Sequence, residues 1–246
     1  MSLPRFFLPG PWPTHPTIGL PDDAAHHALR VLRLDAGTMI EIFDGAGCSA
    51  QGALQVHGKQ ASLTLQQPPR QDARPPLALT LVQGIASGDK MDWIVEKATE
   101  LGIATIVPVA AHRSVLKLGG ERRTKRWQHW QRVAQAACAQ CGRNHLPTLA
   151  EPQTLEAWLA SPGPSAAPMV LCDPAASGRL LPWLRQQRPA ALTLLVGPEG
   201  GWSPDEQALV LAAGGQALSH GGHVLRTETA GLALASACAA VLGWTD

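Results

Sequence analysis

From residue 77 to the carboxyl end, short apolar runs alternate with longer segments in which apolar residues recur at helical spacing. A strand buried on both faces is apolar throughout, and alternating strands and helices are typical of a parallel sheet covered by helices. This part of the chain is therefore predicted to form an α/β domain. Strands are predicted at 77–82, 103–109, 169–172, 192–196 and 216–219, and helices over 89–101, 121–142, 180–187 and 227–242.

A proline-rich segment at 66–76 precedes this domain and is predicted to be an exposed linker. Before it, strands are predicted at 38–43, 50–56 and 61–65, with turns at Asp44-Gly45 and His57-Gly58. A chain of 246 residues is long enough for two domains. We therefore expect a small β-rich domain over 1–70 and the α/β domain over 74–246.

The composition favours a globular protein without membrane or secreted parts. No apolar run approaches the roughly 18 residues that a membrane-spanning helix needs. The first residues are interrupted by prolines and do not resemble a secretory signal. The five cysteines are scattered along the chain, which argues against a disulfide framework. We expect a cytoplasmic protein.

Several common kinds of site are absent from the sequence. Cys138-x-x-Cys141 has metal or redox spacing, but no second pair follows, and structural packing on a helix is the preferred interpretation. The histidines form no recognisable ligand set, so no metal site is expected. The lack of dinucleotide-binding, P-loop and nucleophile-elbow motifs argues against dinucleotide oxidoreductases, P-loop ATPases and serine hydrolases.

Positive charge is concentrated in one stretch of an otherwise nearly neutral chain. The net charge is +1, yet residues 112–147 contain eight lysines and arginines and a single acidic residue. Such a stretch suits a surface held against phosphates, but it is equally compatible with an ordinary solvated helix face. The candidates for phosphate contact are Arg113, Arg122, Arg126 and Arg143.

Two segments near the carboxyl end resemble ligand-facing loops. Gly197-Pro198-Glu199-Gly200-Gly201 follows the strand at 192–196 and precedes a helix start at Ser203-x-x-Glu206. Glycine at such a crossover lets a ligand approach bare backbone groups, although a simple tight turn is the alternative. The second segment, 225–230, leads into a helix that Thr227 is predicted to cap.

Two of the predicted helices have distinct surfaces. In the helix at 89–101, Asp89 is the predicted cap, Met91 to Leu101 carry the apolar stripe, and Lys90 and the other charges are interpreted as solvated. The helix at 227–242 is small and apolar nearly all round, so it requires burial on more than one side. A dimer interface and burial within one subunit are both open.

Taken in order along the chain, the motifs resemble one family. They are Pro4-Arg5-Phe6-Phe7, the stretch from Gln83-Gly84-Ile85 through Gly88-Asp89-Lys90-Met91-Asp92 to Gly102, Arg113-Ser114, Gln140-Cys141-Gly142-Arg143 with Pro147, and the two loops at 197–201 and 225–230. This ordered set covers nearly the whole chain. It is similar to that of the 16S ribosomal RNA uridine-N3 methyltransferases of the SPOUT superfamily.

The resemblance implies a PUA-like β-barrel that helps to bind RNA, followed by an α/β methyltransferase domain with a carboxyl-terminal trefoil knot. It also implies a homodimer through the knotted domain and a substrate uridine in 16S ribosomal RNA of the small ribosomal subunit. S-adenosylmethionine, the methyl donor, would lie in the knot. Mapped onto this sequence, the donor pocket comprises Leu171, Cys172, Gly197, Pro198, Glu199, Gly200, Gly201, Ser219, Gly221, Val224 and Leu225.

The resemblance also suggests catalytic and RNA-binding residues. Uridine N3 must lose its proton before it can attack the donor methyl group, so Arg226 is a candidate for stabilising charge on a uracil carbonyl. Glu228 is a candidate proton acceptor, with interaction between its carboxylate and the helix dipole as the alternative. The candidates for RNA contact on the amino-terminal domain are Arg5, Arg30 and Arg33, which would act with the four arginines named above.

The segment before Val224 departs from the family pattern. Members commonly have Leu-Gly-Pro-Arg where this chain has His220-Gly221-Gly222-His223, which leaves the role of position 223 open. Position 139, where the family has an acidic residue, is alanine, so no function is assigned there. Two other functions stay open: a SPOUT ribose 2′-hydroxyl methyltransferase acting on transfer or ribosomal RNA, and a non-catalytic RNA-binding factor in ribosome assembly.

Overall fold

A computed structural model describes residues 3–12, 15–73, 78–115, 119–161 and 167–243. The end of the predicted linker at 74–76, position 77 of the first predicted α/β strand, and Lys117 of the basic stretch lie outside these ranges. The chain divides into two compact units. The first comprises Met1–Arg74 and Gln135–Leu146, and the second comprises Pro75–Ala134 and Pro147–Asp246.

The first unit is built on one six-stranded sheet. Its strands are β1 Arg5–Phe7, β2 Thr17–Gly19, β3 Met39–Phe43, β4 Cys48–His57, β5 Gln60–Leu65 and β6 Arg70–Gln71, and β2 is followed by the short helix α1 Asp22–His26 and a π-helical turn His27–Val31. The order is β1-β3-β4-β5-β2, with β6 also paired to β4. The three predicted strands and both predicted hairpin turns are confirmed. Strands β1, β2 and β6 were not predicted because two or three residues show no periodicity.

The second unit contains a parallel sheet with helices. The elements are β7 Ala78–Gly84, α2 Lys90–Glu100, β8 Thr105–Val109, α3 Gly120–Cys141, β9 Thr148–Leu149, α4 Leu155–Leu159, β10 Met169–Cys172, α5 Leu180–Gln187, β11 Ala191–Val196, α6 Pro204–Ala212, β12 Gln216–Leu218 and α7 Thr227–Leu242. Helix α3 belongs to this unit as far as Ala134, and its last residues, from Gln135, belong to the first unit. The strand order is β12-β10-β11-β7-β8-β9, and every pairing is parallel. The predicted α/β architecture is confirmed.

Both faces of the parallel sheet are buried. Successive residues of a strand point to opposite faces, and accordingly Leu81 and Leu194 belong to one apolar cluster while Val82 and Leu195 belong to another. The first cluster packs against α2, α3, α5 and α7, and includes the fully buried Trp130. The burial of each strand on two sides explains its uninterrupted apolar sequence.

The helix starts match the prediction only in part. Ser203 caps α6, and its side chain and that of Glu206 form the predicted capping box. Asp89 precedes α2, but its carboxylate makes no capping hydrogen bond, because its backbone has φ −86° and ψ 2° rather than the extended conformation of a cap. Thr227 is the first residue of α7 and Arg226 holds the cap position, so the prediction of Thr227 as cap was wrong.

Burial on the helices also differs from the prediction at one position. Leu101, assigned to the apolar stripe of α2, is 42% exposed, because the helix ends at Glu100 and the chain turns away at Gly102, where φ is +85°. Helix α7 buries Leu232, Leu234, Ala235 and Cys238 within the single chain, while Ser236 and Ala240 are exposed.

Candidate functional site

A cavity of about 590 Å³ lies in the second unit, beyond the carboxyl ends of β10, β11 and β12. In open α/β sheets this is the edge at which ligands bind, and the volume is in the range of small-molecule sites. Of the predicted site residues, the lining includes Leu171, Cys172, Gly197, Pro198, Glu199, Gly200, Gly201, Val224, Leu225, Arg113, Arg226 and Glu228. The two predicted loops therefore form walls of one cavity.

Ser219 and Gly221, which were also predicted for the donor pocket, are not among the residues that line this cavity. The hydroxyl of Ser219 donates to the carbonyl of Gly178 at 3.0 Å. The carbonyl of Gly221 accepts a hydrogen bond from Arg179 at 2.9 Å. Both residues thus hold the chain that leads from β12 to the cavity wall, and His220 and His223 from the same segment do line the cavity.

Glycine is required at the first loop because backbones approach each other closely. A Cβ on Gly84, at the end of β7, would collide with Cδ of Pro198 and lie 2.5 Å from its nitrogen. A Cβ on Gly197 would lie 2.8 Å from the nitrogen of Trp202. Gly201 has a φ of +67°, which favours glycine. Close packing and backbone conformation, as well as access for a ligand, therefore explain why glycine occupies these positions.

A buried polar contact joins the two loops. The hydroxyl of Thr227 donates to the carbonyl of Gly197 at 2.6 Å, and Nε2 of Gln83 donates to the same hydroxyl at 2.8 Å. Gln83 is fully buried in β7, where a second hydrogen bond reaches the carbonyl of Gly84 at 2.9 Å. Sequence reasoning did not assign Gln83 a role, although a glutamine at the end of an apolar strand was the available signal. These bonds fix the start of α7 against the first loop.

Arg113 closes another side of the first loop. Its guanidinium donates to the carbonyl of Gly200 at 3.0 Å, and a Cβ on Gly200 would lie 3.0 Å from the Cβ of Arg113. Arg113 is exposed and also lines the cavity. It therefore both supports the loop and places a positive charge at the cavity rim.

Glu199 faces Ser87 and Lys90 rather than standing free in the loop. Its Oε1 accepts hydrogen bonds from the Ser87 backbone N–H at 3.0 Å, the Ser87 hydroxyl at 2.6 Å and Lys90 Nζ at 2.8 Å. Burial by itself would raise the pKa of Glu199, but the hydrogen bonds from Lys90, Ser87 and backbone N–H groups outweigh it and lower the pKa to about 2. Glu199 is therefore ionised and ties the loop to the start of α2.

The lowered pKa of Glu199 predicts a pH-dependent contribution to stability. Because the folded pKa lies below the unfolded one, the contribution is complete above about pH 5 and is lost as the pH falls towards the folded pKa of about 2. We expect Glu199→Gln to lower the free energy of unfolding at pH 7, with a difference from wild type that shrinks below pH ~4.5. Urea unfolding at several pH values measures this, and a difference that grows on acidification contradicts it.

Glu228 and Arg226 flank the start of α7 on the cavity wall. Oε2 of Glu228 is buried and has no hydrogen-bond partner among the described residues, and Lys90 Nζ lies 4.0 Å away. Arg226 is exposed, and no hydrogen bond to its guanidinium is found in the described part of the chain. The Glu228 side chain as a whole is 20% exposed and lines the cavity, so its carboxylate can accept a hydrogen bond from a ligand that supplies an N–H group.

Cys172 does not have the properties of a nucleophile, although it lines the cavity. Burial raises the pKa of its thiol far above the ordinary value, and the neighbouring Cys238 adds to this increase. Burial likewise raises the pKa of Cys238 to about 12. Both thiols are therefore neutral, and their part in the site is packing. Among the described residues, no group of three or more His, Cys, Asp or Glu side chains could hold a metal ion.

Arg5 is held inside the first unit, contrary to its prediction as an RNA-contacting residue. Its guanidinium pairs with Glu41 and donates to Asn144 Oδ1 at 2.6 Å and to the carbonyl of Arg143 at 3.1 Å. It also lies 4.9 Å from the centre of the Phe43 ring, and its side chain is only 10% exposed. The contacts of its two terminal nitrogens and its burial give Arg5 a structural role.

The other predicted RNA-contacting arginines are more accessible. Arg30, Arg33 and Arg122 are exposed. Arg126 is partly exposed and lies 3.8 Å from Asp92, whose two oxygens also meet His129 and Trp130. Arg143 is partly buried.

In the described part of the chain, no helix is both long and apolar enough to cross a membrane.

Comparison with known proteins identifies both parts of the chain. Residues 73–239 match the family described as RNA methyltransferase domain, and residues 20–65 match the RNA methyltransferase PUA domain. Ribosomal RNA small subunit methyltransferase E of Bacillus subtilis is 28% identical over 90% of this chain and 89% of its own length. The protein of the same name from Synechocystis sp. is 31% identical over 87% of this chain and 70% of its own length.

A solved structure is similar throughout. Ribosomal RNA small subunit methyltransferase E from Neisseria gonorrhoeae, crystallised bound to S-adenosyl methionine, has 33% identity and a TM-score of 0.86 and covers 97% of this chain and 98% of its own. The match extends over the PUA-like unit and the α/β unit, and thus over the sheet edge that carries the cavity. By its domains, its relatives and its structure, this chain belongs to the ribosomal RNA small subunit methyltransferase E family.

Proposed function

We propose that the protein transfers a methyl group from S-adenosylmethionine to N3 of a uridine in 16S ribosomal RNA of the small ribosomal subunit. The observation that carries this proposal is the pair of Arg226 and Glu228 on the wall of the cavity, with the Glu228 side chain 20% exposed. A uridine N3–H would donate to this carboxylate. Family membership supports the class of reaction, and the geometry supports the assignment of the residues.

The cavity fits a donor of this kind. Its wall combines apolar side chains of Leu171, Val196 and Leu218 with the backbone of the glycine loop, which can contact an adenine ring and its polar edge. Val224 is 80% exposed at the rim, and cover by a bound ring would remove this apolar surface from water. When bound, S-adenosylmethionine supplies an electrophilic methyl group on a sulfonium sulfur.

The chain's own residues would prepare the uridine for attack. Glu228 accepts the proton from N3, directly or through water, because its side chain lines the cavity and is 20% exposed. Arg226 then stabilises the negative charge that spreads to a uracil carbonyl, since its guanidinium makes no hydrogen bond to another described residue. Holding both reactants in one cavity contributes further to the rate.

The RNA must present an unpaired or extruded uridine, because N3 lies on the Watson–Crick edge. We propose phosphate contacts at Arg30, Arg33, Arg113, Arg122, Arg126 and Arg143, and omit Arg5 because it is buried. The proposal also includes a PUA-like RNA-binding domain over 1–70, a knotted methyltransferase domain over 74–246, a homodimer through the latter, and a cytoplasmic location beside the ribosome.

Mapping the modified nucleotide tests the proposed function. Purified protein is incubated with labelled S-adenosylmethionine and small ribosomal subunits from cells that lack the enzyme, and the product is analysed by mass spectrometry. The expected product is a single N3-methyluridine in 16S ribosomal RNA. A methyl group on a ribose 2′-hydroxyl would favour the related SPOUT activity. Lack of donor binding would favour a non-catalytic assembly factor.

Arg226→Ala tests the role of the arginine. Because its guanidinium has no other partner in the described structure, its loss should leave folding unchanged and lower kcat about 100-fold, with donor affinity changed by less than about threefold. Turnover of RNA and calorimetric donor binding provide the two measurements. Unchanged turnover with intact donor binding would remove Arg226 from the mechanism.

A further inference from the structure

Lys90 lies between two carboxylates on the cavity wall. Its Nζ is 2.8 Å from Glu199 Oε1 in the first loop and 4.0 Å from Glu228 Oε2 in the first turn of α7. All three residues line the cavity. Lys90 is the first residue of α2, so the packing of this helix on the sheet fixes the position of the ammonium group. Sequence reasoning treated this lysine as an ordinary solvated charge.

The two carboxylates depend on Lys90 to different degrees. Glu199 also receives hydrogen bonds from the backbone and the hydroxyl of Ser87, and these remain if the lysine is removed. Glu228 Oε2 has no hydrogen bond, and within the described residues no other cationic group lies within 4.0 Å of it. Loss of Lys90 would therefore leave the hydrogen bonds between Ser87 and Glu199 intact. It would also leave the Glu228 charge without a counter-ion.

The distance of 4.0 Å between Lys90 Nζ and Glu228 Oε2 is longer than a hydrogen bond. A lysine has three N–H donors, and Glu199 occupies one of them. At 4.0 Å the ammonium attracts the Glu228 carboxylate but leaves its oxygen free to accept a hydrogen bond from another group. A direct ion pair at hydrogen-bond distance would instead compete with a substrate for the same oxygen.

We propose that Lys90 is a positioning residue for methyl transfer, whose ammonium group, anchored by Glu199, holds the Glu228 carboxylate in place at the cavity wall. This inference rests on the proposed function, because it assumes that Glu228 accepts the proton of the substrate. Burial of a charged group without a partner is unfavourable, so without Lys90 the carboxylate would turn towards solvent. In that orientation it would be badly placed to accept the proton of the substrate.

A double-mutant cycle between Lys90→Met and Glu228→Gln tests the coupling. We expect Lys90→Met to lower kcat at least about tenfold while the Kd for S-adenosylmethionine changes less than about threefold, because Ser87 still holds Glu199. In the Glu228→Gln background, the same substitution should change kcat by less than about twofold, since the acceptor that Lys90 serves is already lost. Lys90→Arg should recover much of the activity.

Lys97→Met is the matched control. Lys97 lies on the same helix, has the same side-chain exposure of 32%, and contacts two carboxylates, Glu96 and Glu100, each at 2.7 Å. None of these three residues lines the cavity, so kcat should stay at the wild-type value. Thermal unfolding of all variants separates a loss of catalysis from a loss of folding.

The outcomes separate this inference from the proposed function. If wild type produces no N3-methyluridine, or if Glu228→Gln turns over normally, the proposed function or the role of Glu228 fails, and the inference fails with it. If both hold but the effects of Lys90→Met and Glu228→Gln on kcat multiply, or Lys90→Arg is as slow as Lys90→Met, only the inference is overturned. If Lys90→Met mainly weakens donor binding, Lys90 serves the loop instead.

Discussion

Gly84→Ala is expected to abolish most of the methyl-donor binding and to destabilise the protein by about 1–3 kcal/mol. The added Cβ would collide with the ring of Pro198, and it would lie 2.9 Å from the carbonyl carbon of Gly197. Neither obstacle is a flexible side chain, so β7 or the first loop must move. Displacing the loop also disturbs the Gly197 carbonyl, which the Thr227 hydroxyl holds at 2.6 Å.

The effect of this substitution is steric, since Gly84 does not have a positive φ and alanine can adopt its conformation. A shift of about 1 Å at a reacting centre can cost roughly 100-fold in rate, so activity should fall at least that far. Calorimetric donor binding and urea unfolding measure the two effects. Gly119→Ala is the control, because a Cβ there meets no heavy atom of the described residues within 4 Å and φ is not positive. Wild-type donor affinity in Gly84→Ala would show that the loop is not the donor wall.

The sequence predicted the α/β architecture well because its signals are local. Strand β10 and helices α5 and α7 were predicted with their observed bounds, and the capping box at Ser203 correctly marked the start of α6. Each of these depends on spacing or on side chains within a few residues of each other. The short strands β1, β2 and β6 owe their conformation to pairing with distant strands, which no local pattern records.

The site was predicted less completely, since several roles depend on contacts between distant segments. Gln83 and Thr227 meet although 144 positions separate them, and Lys90 meets Glu199 across 109. Arg5 illustrates the opposite error: its place in a family motif suggested RNA contact, but Glu41 and Asn144 use its donors inside the first unit. A motif shows that a residue is needed, and only the fold shows whether it is needed for packing or for chemistry.

These distant contacts also explain why the two loops act as one site. The carboxyl ends of β7, β10, β11 and β12 lie at one edge of the parallel sheet, so Gly84, Cys172 and Gly197 are brought together although they are distant in sequence. The buried Gln83 amide and the Thr227 hydroxyl then fix the start of α7 against this edge. The position of Arg226 and Glu228 therefore depends on the hydrogen bond from Gln83, near the end of β7, to Thr227.

Glu228→Gln is expected to lower kcat by about 100- to 10,000-fold, the range for loss of a general base, while the Kd for S-adenosylmethionine changes less than about threefold. Glutamine keeps the shape of the side chain but cannot take up the proton from N3. The variant should fold about as stably as wild type, since Oε2 of Glu228 makes no hydrogen bond in the described structure that the substitution could remove.

The alternative role of Glu228, an interaction with the dipole of α7, predicts a different result. A carboxylate in the first turn contributes about 0.3–1 kcal/mol to helix stability, so its loss would lower the free energy of unfolding and leave kcat unchanged. Glu121→Gln, at the corresponding first turn of α3, is the matched control, and only stability should respond to it. Single-turnover methylation and urea unfolding of both variants decide the matter: a slow, stable Glu228→Gln protein identifies a base, whereas a fast, destabilised one identifies a helix-dipole contact.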